Sequence, residues 1–347
     1  MTSKERVRAA ISHKIPDRVP ANFEATPTTI NNLLKHYGFS DKEKLLQKFE
    51  IDIREICPDY IGKPLVKYQK NGVNYIPTAH GYTLKEHWTG KEYNYIVSEY
   101  PFGADTAVKD IENFDWVNPD DFDYESVKRQ CEKYKDKALI FGHEGPFQLS
   151  TFMMNMDELF IKMSLEPEVA HRLYDRFVEF ELEYYERILI AGDGQIDILR
   201  PYDDYGTQNS LLFSVEMWKE FFEENTKKLT ALAHKYGCFY QQHSCGAVSK
   251  IIPSLIECNV DVLEPLQKVN GMEIEFLKKT YGDKLAFQGG IDTQNLLPFG
   301  TAEQVKQETQ RYINILGENG GYILMASQGF EGDVPIENIE AVYSVKR

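Results

Sequence analysis

From residue 138 onward the chain alternates two kinds of segment, and no other feature restricts its fold so tightly. Short apolar runs, each closed by a polar or glycine cluster, read ALIFGHEG, QIDILRPYDD, CFYQQHSCG, VDVLEPLQ, LAFQGGID and GGYILMASQG. Between them lie long amphipathic stretches such as SVEMWKEFFEENTKKLTALAHKYG. Strand alternating with helix predicts a parallel sheet with right-handed crossovers. A strand count near eight, without the glycine-rich loops of nucleotide-binding sheets, favours an α/β fold of the closed (β/α)8 TIM barrel type over an open, doubly wound sheet. One domain is expected over residues 1–347, since barrels routinely reach this size.

Two segments depart from the rhythm. SKERVRAAIS, behind the chain's start, spaces Val7, Ala10 and Ile11 for an N-terminal helical extension. Residues of about 65–102 alternate β-branched or aromatic side chains with polar ones around NG and TGK turns, which predicts inserted antiparallel β-hairpins. His80, His87 and Trp88 lie on them, placed either as a lid over the barrel mouth or as exposed hairpin residues. With 20 Phe and 21 Tyr the chain has ample material for a large core.

A formal charge of −15 argues against a nucleic-acid or anionic-membrane surface, because phosphate demands clustered Lys and Arg. No run approaches the length of a membrane span, the opening residues lack an apolar signal core, and the five cysteines are odd in number and scattered. A cytoplasmic protein with free thiols is the expectation, with Cys238 and Cys258 assigned to the core.

In a barrel the site lies at the C-terminal ends of the strands. There QQHSCG puts His243 and Cys245 at i and i+2, on one face of a strand and about 6.6 Å apart at Cα. That spacing lets a ring nitrogen and a thiolate meet at one zinc ion. An isolated HxC is otherwise a satisfied polar histidine beside an inert thiol; its place before a glycine turn favours the metal. Oxygen partners at equivalent positions are Glu144, the adjacent Asp203 and Asp204, Gln267, Asp292, Gln328 and Glu331, with Gln288 on the strand before Asp292. Neighbouring carboxylates at 203 and 204 can share a proton or bind a metal or cationic group. His143 and Glu144 can form a proton-transfer pair, though alternation turns only one of them inward.

Taken together, ERVRAAISHKIPDRVP, GHEGPFQLSTFM, RPYDDYGTQNSLLFSVEMWKEFF, HSCGAVSKIIPSLIECNVDVLEPLQ, FQGGIDTQNLLPFGT and GGYILMASQGFEGDVPIENIEAVY resemble the uroporphyrinogen decarboxylase superfamily over nearly the whole chain. Within it the chain is similar to the cobamide-dependent, methylcobamide:coenzyme M methyltransferase-like branch. The arginine-rich MRQAGRY segment of the true decarboxylases is replaced by RVPANFEATPTT, a poor host for a polyanionic tetrapyrrole. The resemblance implies a zinc-dependent methyltransferase (β/α)8 barrel, with a corrinoid (cobalamin) carried by a partner protein and a small methylated substrate or thiol as the other reactant. It also implies a metal held by His243, Cys245 and a cysteine from the last strand's loop; that third position falls on Gln328, which counts against coenzyme M as the thiol.

The expected roles are therefore metal ligation by His243, Cys245 and Gln328, catalysis by Glu144, Asp203 and Asp204, and substrate binding by Gln267, Gln288 and Asp292. Two other readings stand beside it. One is a metal-free decarboxylase of a small acid using Asp203 or Asp204, and the other a non-catalytic corrinoid-binding subunit.

Overall fold

The computed structural model describes residues 1–347. Seven strands form one parallel sheet in chain order: β1 (Ile53–Ile56), β2 (Ala138–Glu144), β3 (Ile198–Tyr202), β4 (Phe239–His243), β5 (Val262–Leu266), β6 (Ala286–Gly289) and β7 (Tyr322–Ile323). Helices fill the connections, the longest being Pro167–Gly192 between β2 and β3. The sheet curls, and the extended segment around Ala21 is hydrogen-bonded to both of its edges. Asn22 N–H donates to Leu324 O and Leu324 N–H to Pro20 O, while Asp52 N–H, next to β1, donates to Ala21 O.

The register sorts side chains to two sides of this wall. Ile140 pairs with Ile198 and Ile198 with Phe239, and these belong to a small buried cluster with Ile53, Ala138, Val262, Ala286 and Ile323. Their sequence neighbours Leu139, Phe141, Leu199, Tyr240, Leu263 and Phe287 belong to the large core between wall and helices. The first cluster is the interior floor, and helix Ser3–Ile11 plugs it with Val7 and Ile11. Arg6 ties that helix to buried Asp52 (2.7 Å), and Lys4 and Arg8 tie it to buried Asp197 (3.0 Å each).

Above the floor the same inward rows turn polar. Gly142, Arg200 and Gln241 occupy the next level, and Glu144, Tyr202, His243 and Glu264 stand in register above them. The expected insertion is a four-stranded antiparallel sheet of Tyr68–Lys70, Val73–Pro77, Thr83–Trp88 and Tyr93–Glu99. Its first turn places Asn71 and Gly72 at φ 54° and 77°, a left-handed pair that asparagine and glycine adopt cheaply. No helix is long and apolar enough to cross a membrane.

Candidate functional site

Strand β4 ends at His243, and the next three residues are held by the loop that follows β3. Asp203 N–H donates to His243 O (3.2 Å), Tyr205 N–H to Ser244 Oγ (2.9 Å) and Ala247 N–H to Thr207 O (2.8 Å). The two loops approach so closely that a Cβ on Gly246 would stand 2.6 Å from the Gly206 carbonyl carbon, and Gly246 has φ +89°. Only glycine fits that position. The contact delivers Asp204 to β4: its Oδ1 accepts from Cys245 N–H (2.7 Å) and lies 3.5 Å from His243 Nε2.

Cys245 Sγ is 3.7 Å from the same Nε2. His243, Cys245 and Asp204 form a group whose donor atoms all lie within 4.8 Å of one another. A tetrahedral zinc ion with bonds of about 2.0–2.3 Å has ligand-to-ligand edges of about 3.3–3.8 Å. The nitrogen–oxygen and nitrogen–sulfur separations match those edges, so the residues fit zinc. Gln328 reaches the same sulfur from the β7 loop, its Nε2 donating to Cys245 Sγ at 3.4 Å.

The ring of His243 is oriented from behind by Glu264, whose Oε2 takes Nδ1 at 2.6 Å. Glu264 is fully buried, and Arg200 Nη1 lies 3.8 Å away. Arg200 also pairs with Glu24 and with the Tyr202 hydroxyl. Burial alone would raise the Glu264 carboxyl, yet His243 and Arg200 outweigh it and hold the group below its ordinary range. Burial pushes the Cys245 thiol up, opposed by His243. Glu144, at the end of β2 and facing the interior, is pushed up to about 7 by burial, opposed by His243 and reinforced by Asp204.

The other expected residues are distributed differently. The adjacent acids do not act as a pair. Asp203 turns away from Asp204 into a buried pocket, where its Oδ1 caps helix Pro146–Met153 by accepting Gln148 N–H (2.8 Å) and its Oδ2 accepts from Tyr205 OH (3.1 Å). Consecutive residues leaving a strand point to opposite sides, which is why one faces His243 and Cys245 and the other the helices. Burial raises Asp203 to about 8. His143 likewise faces outward, 3.8 Å from buried Glu181, with Nδ1 unpartnered.

Gln267 supports the loop after β4, its Oε1 accepting Gly246 N–H (2.7 Å). Gln288 is fully buried, with Nε2 on Met325 Sδ (3.4 Å) and Oε1 without a partner. Asp292 holds the turn that follows it: its Oδ1 accepts the N–H groups of Gln294 and Asn295 (2.8 and 3.3 Å), and it lines a surface cleft of about 660 Å³ with Lys268, Arg311 and Tyr312. Asp292 thus serves the backbone rather than the group around His243. Glu331 pairs with Lys91 of the insertion. Glu264, Arg200 and Tyr202 do not stand out as site residues in the sequence; the signal present for Glu264 and Arg200 is a charged residue in the middle of an apolar run, VLEPL and ILRPY.

The uroporphyrinogen decarboxylase (URO-D) family model matches residues 89–347. Among curated proteins, the chain is 24% identical over 197 residues to the methylated-thiol–coenzyme M methyltransferase of Methanosarcina mazei, covering 57% of this chain and 49% of that protein, so it spans about half that relative's length. It is 21% identical over 262 residues to the uroporphyrinogen decarboxylase of Wigglesworthia glossinidia brevipalpis, covering 70% of this chain and 69% of that one. The solved structure of a methyltransferase from Methanosarcina mazei superposes with a TM-score of 0.67 at 17% identity, covering 99% and 97% of the two chains, which shows a shared fold. On the extent of the family match, the chain belongs to the uroporphyrinogen decarboxylase family.

Proposed function

We propose that the protein moves a methyl group between a small methylated substrate, or a thiol acceptor, and a corrinoid protein, with zinc held by His243, Cys245 and Asp204. The observation that carries this reading is the convergence of a nitrogen, a sulfur and an oxygen at tetrahedral-edge spacing at the C-terminal end of the strands. Likeness to a methyltransferase in sequence and in fold supports it. On this reading the segment around Ala21 is the eighth stave of a (β/α)8 barrel, and the free thiols belong in the reducing cytoplasm.

Bound there, zinc supplies Lewis acidity toward an oxygen, nitrogen or sulfur atom, and the partner's corrinoid supplies the centre that accepts or gives the methyl group. The chain's own residues do the remaining work. Glu264 accepts a hydrogen bond from Nδ1–H of His243, which fixes the tautomer and leaves Nε2 as the lone-pair donor toward the mouth. Gln328 donates to the Cys245 sulfur and moderates its charge. Glu144, pushed up to about 7, is partly protonated near neutrality; as the methyl-to-heteroatom bond breaks, the protonated form passes its proton to the heteroatom and is left as carboxylate. An aspartate in place of a second thiolate makes a harder donor set, which favours an oxygen- or nitrogen-bound methyl donor.

The test joins metal content to turnover. Wild-type protein should carry about one zinc per chain by plasma emission. Cys245→Ala should lose both the zinc and methyl transfer from a panel of methylated donors to a reduced corrinoid protein. Full activity in the metal-free variant would end this mechanism. The decarboxylase reading, which uses Asp203 or Asp204, draws on the family's decarboxylase relatives; Asp203 lies outside the group around His243, while Asp204 lies within it, held by Cys245 N–H. Carbon dioxide release from a small acid by metal-free protein would bring it back.

A further inference from the structure

The inserted sheet is fastened at two ends of unequal strength. Its root lies beside the β2 strand end: Tyr82 packs on Phe152 with ring centroids 5.2 Å apart, His80 on His143 at 5.6 Å, and Leu84 and Val97 rest on the large core. Its far turn, Thr89–Glu92, reaches the loop after β7. Lys91 pairs there with Asp333 and with Glu331 (3.3 Å), and Glu92 Oε2 accepts from Thr26 Oγ1 (2.8 Å). Gly332 lines the socket, where a Cβ on it would stand 3.4 Å from Glu92 Oε2 and 3.2 Å from the Thr28 methyl group. The loop that receives this turn is the one carrying Gln328, whose amide touches Cys245. A strap therefore runs from beside Glu144 to the loop beside Cys245.

The tip is the weaker end. Lys91 and Glu331 are nearly half exposed, so their pairing is screened by solvent and salt. Glu92 is buried to 3% exposure with one hydrogen bond to Oε2 and none to Oε1, an under-satisfied acceptor that gains water when it leaves its socket. A firmly rooted sheet with a loosely held tip can open at the tip without disturbing the core.

We propose that this strap selects by size what reaches Cys245, with Lys91 and Glu92 as its latch: small molecules pass with the latch closed, and a bulky group enters only when the tip releases. Lys91 is in this sense a positioning residue, acting through the loop that bears Gln328. The inference rests on the proposed function only in taking Cys245 as the destination, and its test needs no methyl transfer.

The test is the alkylation rate of Cys245 in the chelator-treated full chain, followed by peptide mass spectrometry with exposed Cys57 as the reference thiol. Iodoacetamide serves as the small probe and a maleimide bearing a polyethylene glycol chain as the large one. Lys91→Glu should speed the large probe roughly fivefold, the loss expected for exposed ion pairs turned repulsive, and leave iodoacetamide unchanged. High salt should act in the same direction on the wild type. Adding Asp333→Lys to Lys91→Glu should restore the wild-type rate, which a general loosening of the fold would not do. Equal response of both probes to Lys91→Glu, or no rescue by the charge swap, would overturn the proposal. A strap that selects by size in a protein without methyl-transfer activity would leave this inference standing and remove the one before it.

Discussion

A carboxylate in the middle of an apolar strand is costly unless a partner keeps it ionised and hydrogen-bonded. Glu264 meets that condition through His243 and Arg200, and in doing so sets which nitrogen of His243 is available. Glu264→Gln keeps the shape but removes the acceptor charge. The expected outcome is a loss of about 10- to 100-fold in zinc affinity, measured by competition with a chromophoric chelator, with little change in far-ultraviolet circular dichroism.

A second residue-scale prediction concerns the histidines behind the wall. Burial lowers His80 to about 3 and His143 to about 4, and each has an unpartnered Nδ1. A histidine held neutral in the fold and protonated in the unfolded chain contributes stability present above the unfolded value, near 6.5. That stability is lost as pH falls from there toward the folded values. At pH 5 the cost is about 2 kcal/mol for each ring. His80→Phe keeps the aromatic packing against Phe177 and Phe180 and cannot be protonated. Its urea stability relative to wild type should therefore rise by about 2 kcal/mol between pH 7 and pH 5. A constant difference across that range would contradict the burial argument.

At the scale of elements, helix Ser3–Ile11 is the clearest case of a segment whose worth lies in what it plugs. Thr2 and Glu5 cap its start reciprocally, yet nine residues are too few to be helical alone. Its order comes from Val7 and Ile11 meeting the floor of Ile53, Ile140, Ile198 and Ile323, and from Arg6 on Asp52. Ile11→Ala opens a cavity in a cluster that has no flexible side chain to refill it. A loss of about 2–4 kcal/mol in urea unfolding is expected, with the metal site unaffected in the folded fraction. The helical spacing of Val7, Ala10 and Ile11 was legible in the sequence; that the helix seals the interior was not, because a periodic pattern marks a buried face without naming what covers it.

For the whole molecule, the sheet's two edges depend on the N-terminal segment. Pro20 O accepts from Leu324 N–H, Asn22 N–H donates to Leu324 O, and Ala21 O accepts from Asp52 N–H, so β1 and β7 have no stable edge without them. Removing residues 1–26 should convert the single unfolding transition of the full chain into a broad one with a calorimetric enthalpy above the van't Hoff value, accompanied by self-association in gel filtration. A sharp, monomeric transition in the truncated chain would show that the wall closes by other means.

The sequence by itself determined the alternation of strand and helix, hence the parallel sheet, and it placed the polar strand ends at one rim. It also paired His243 with Cys245, because a period of two along a strand is a local property. It did not decide which acids join them. Asp203 and Asp204 are equal as letters and opposite in space, since the direction each takes is set by where the loop after β3 meets Gly246 and where helix Pro146–Met153 needs a cap. Glu264 on β5 and Arg200 on β3 met across the intervening β4 only once the register was fixed, and Lys91 found Asp333 only once the inserted sheet had been laid against a loop more than two hundred residues away. Contacts within one element follow from its own periodicity. Contacts between elements follow from packing, and here packing chose which acid joins His243 and Cys245.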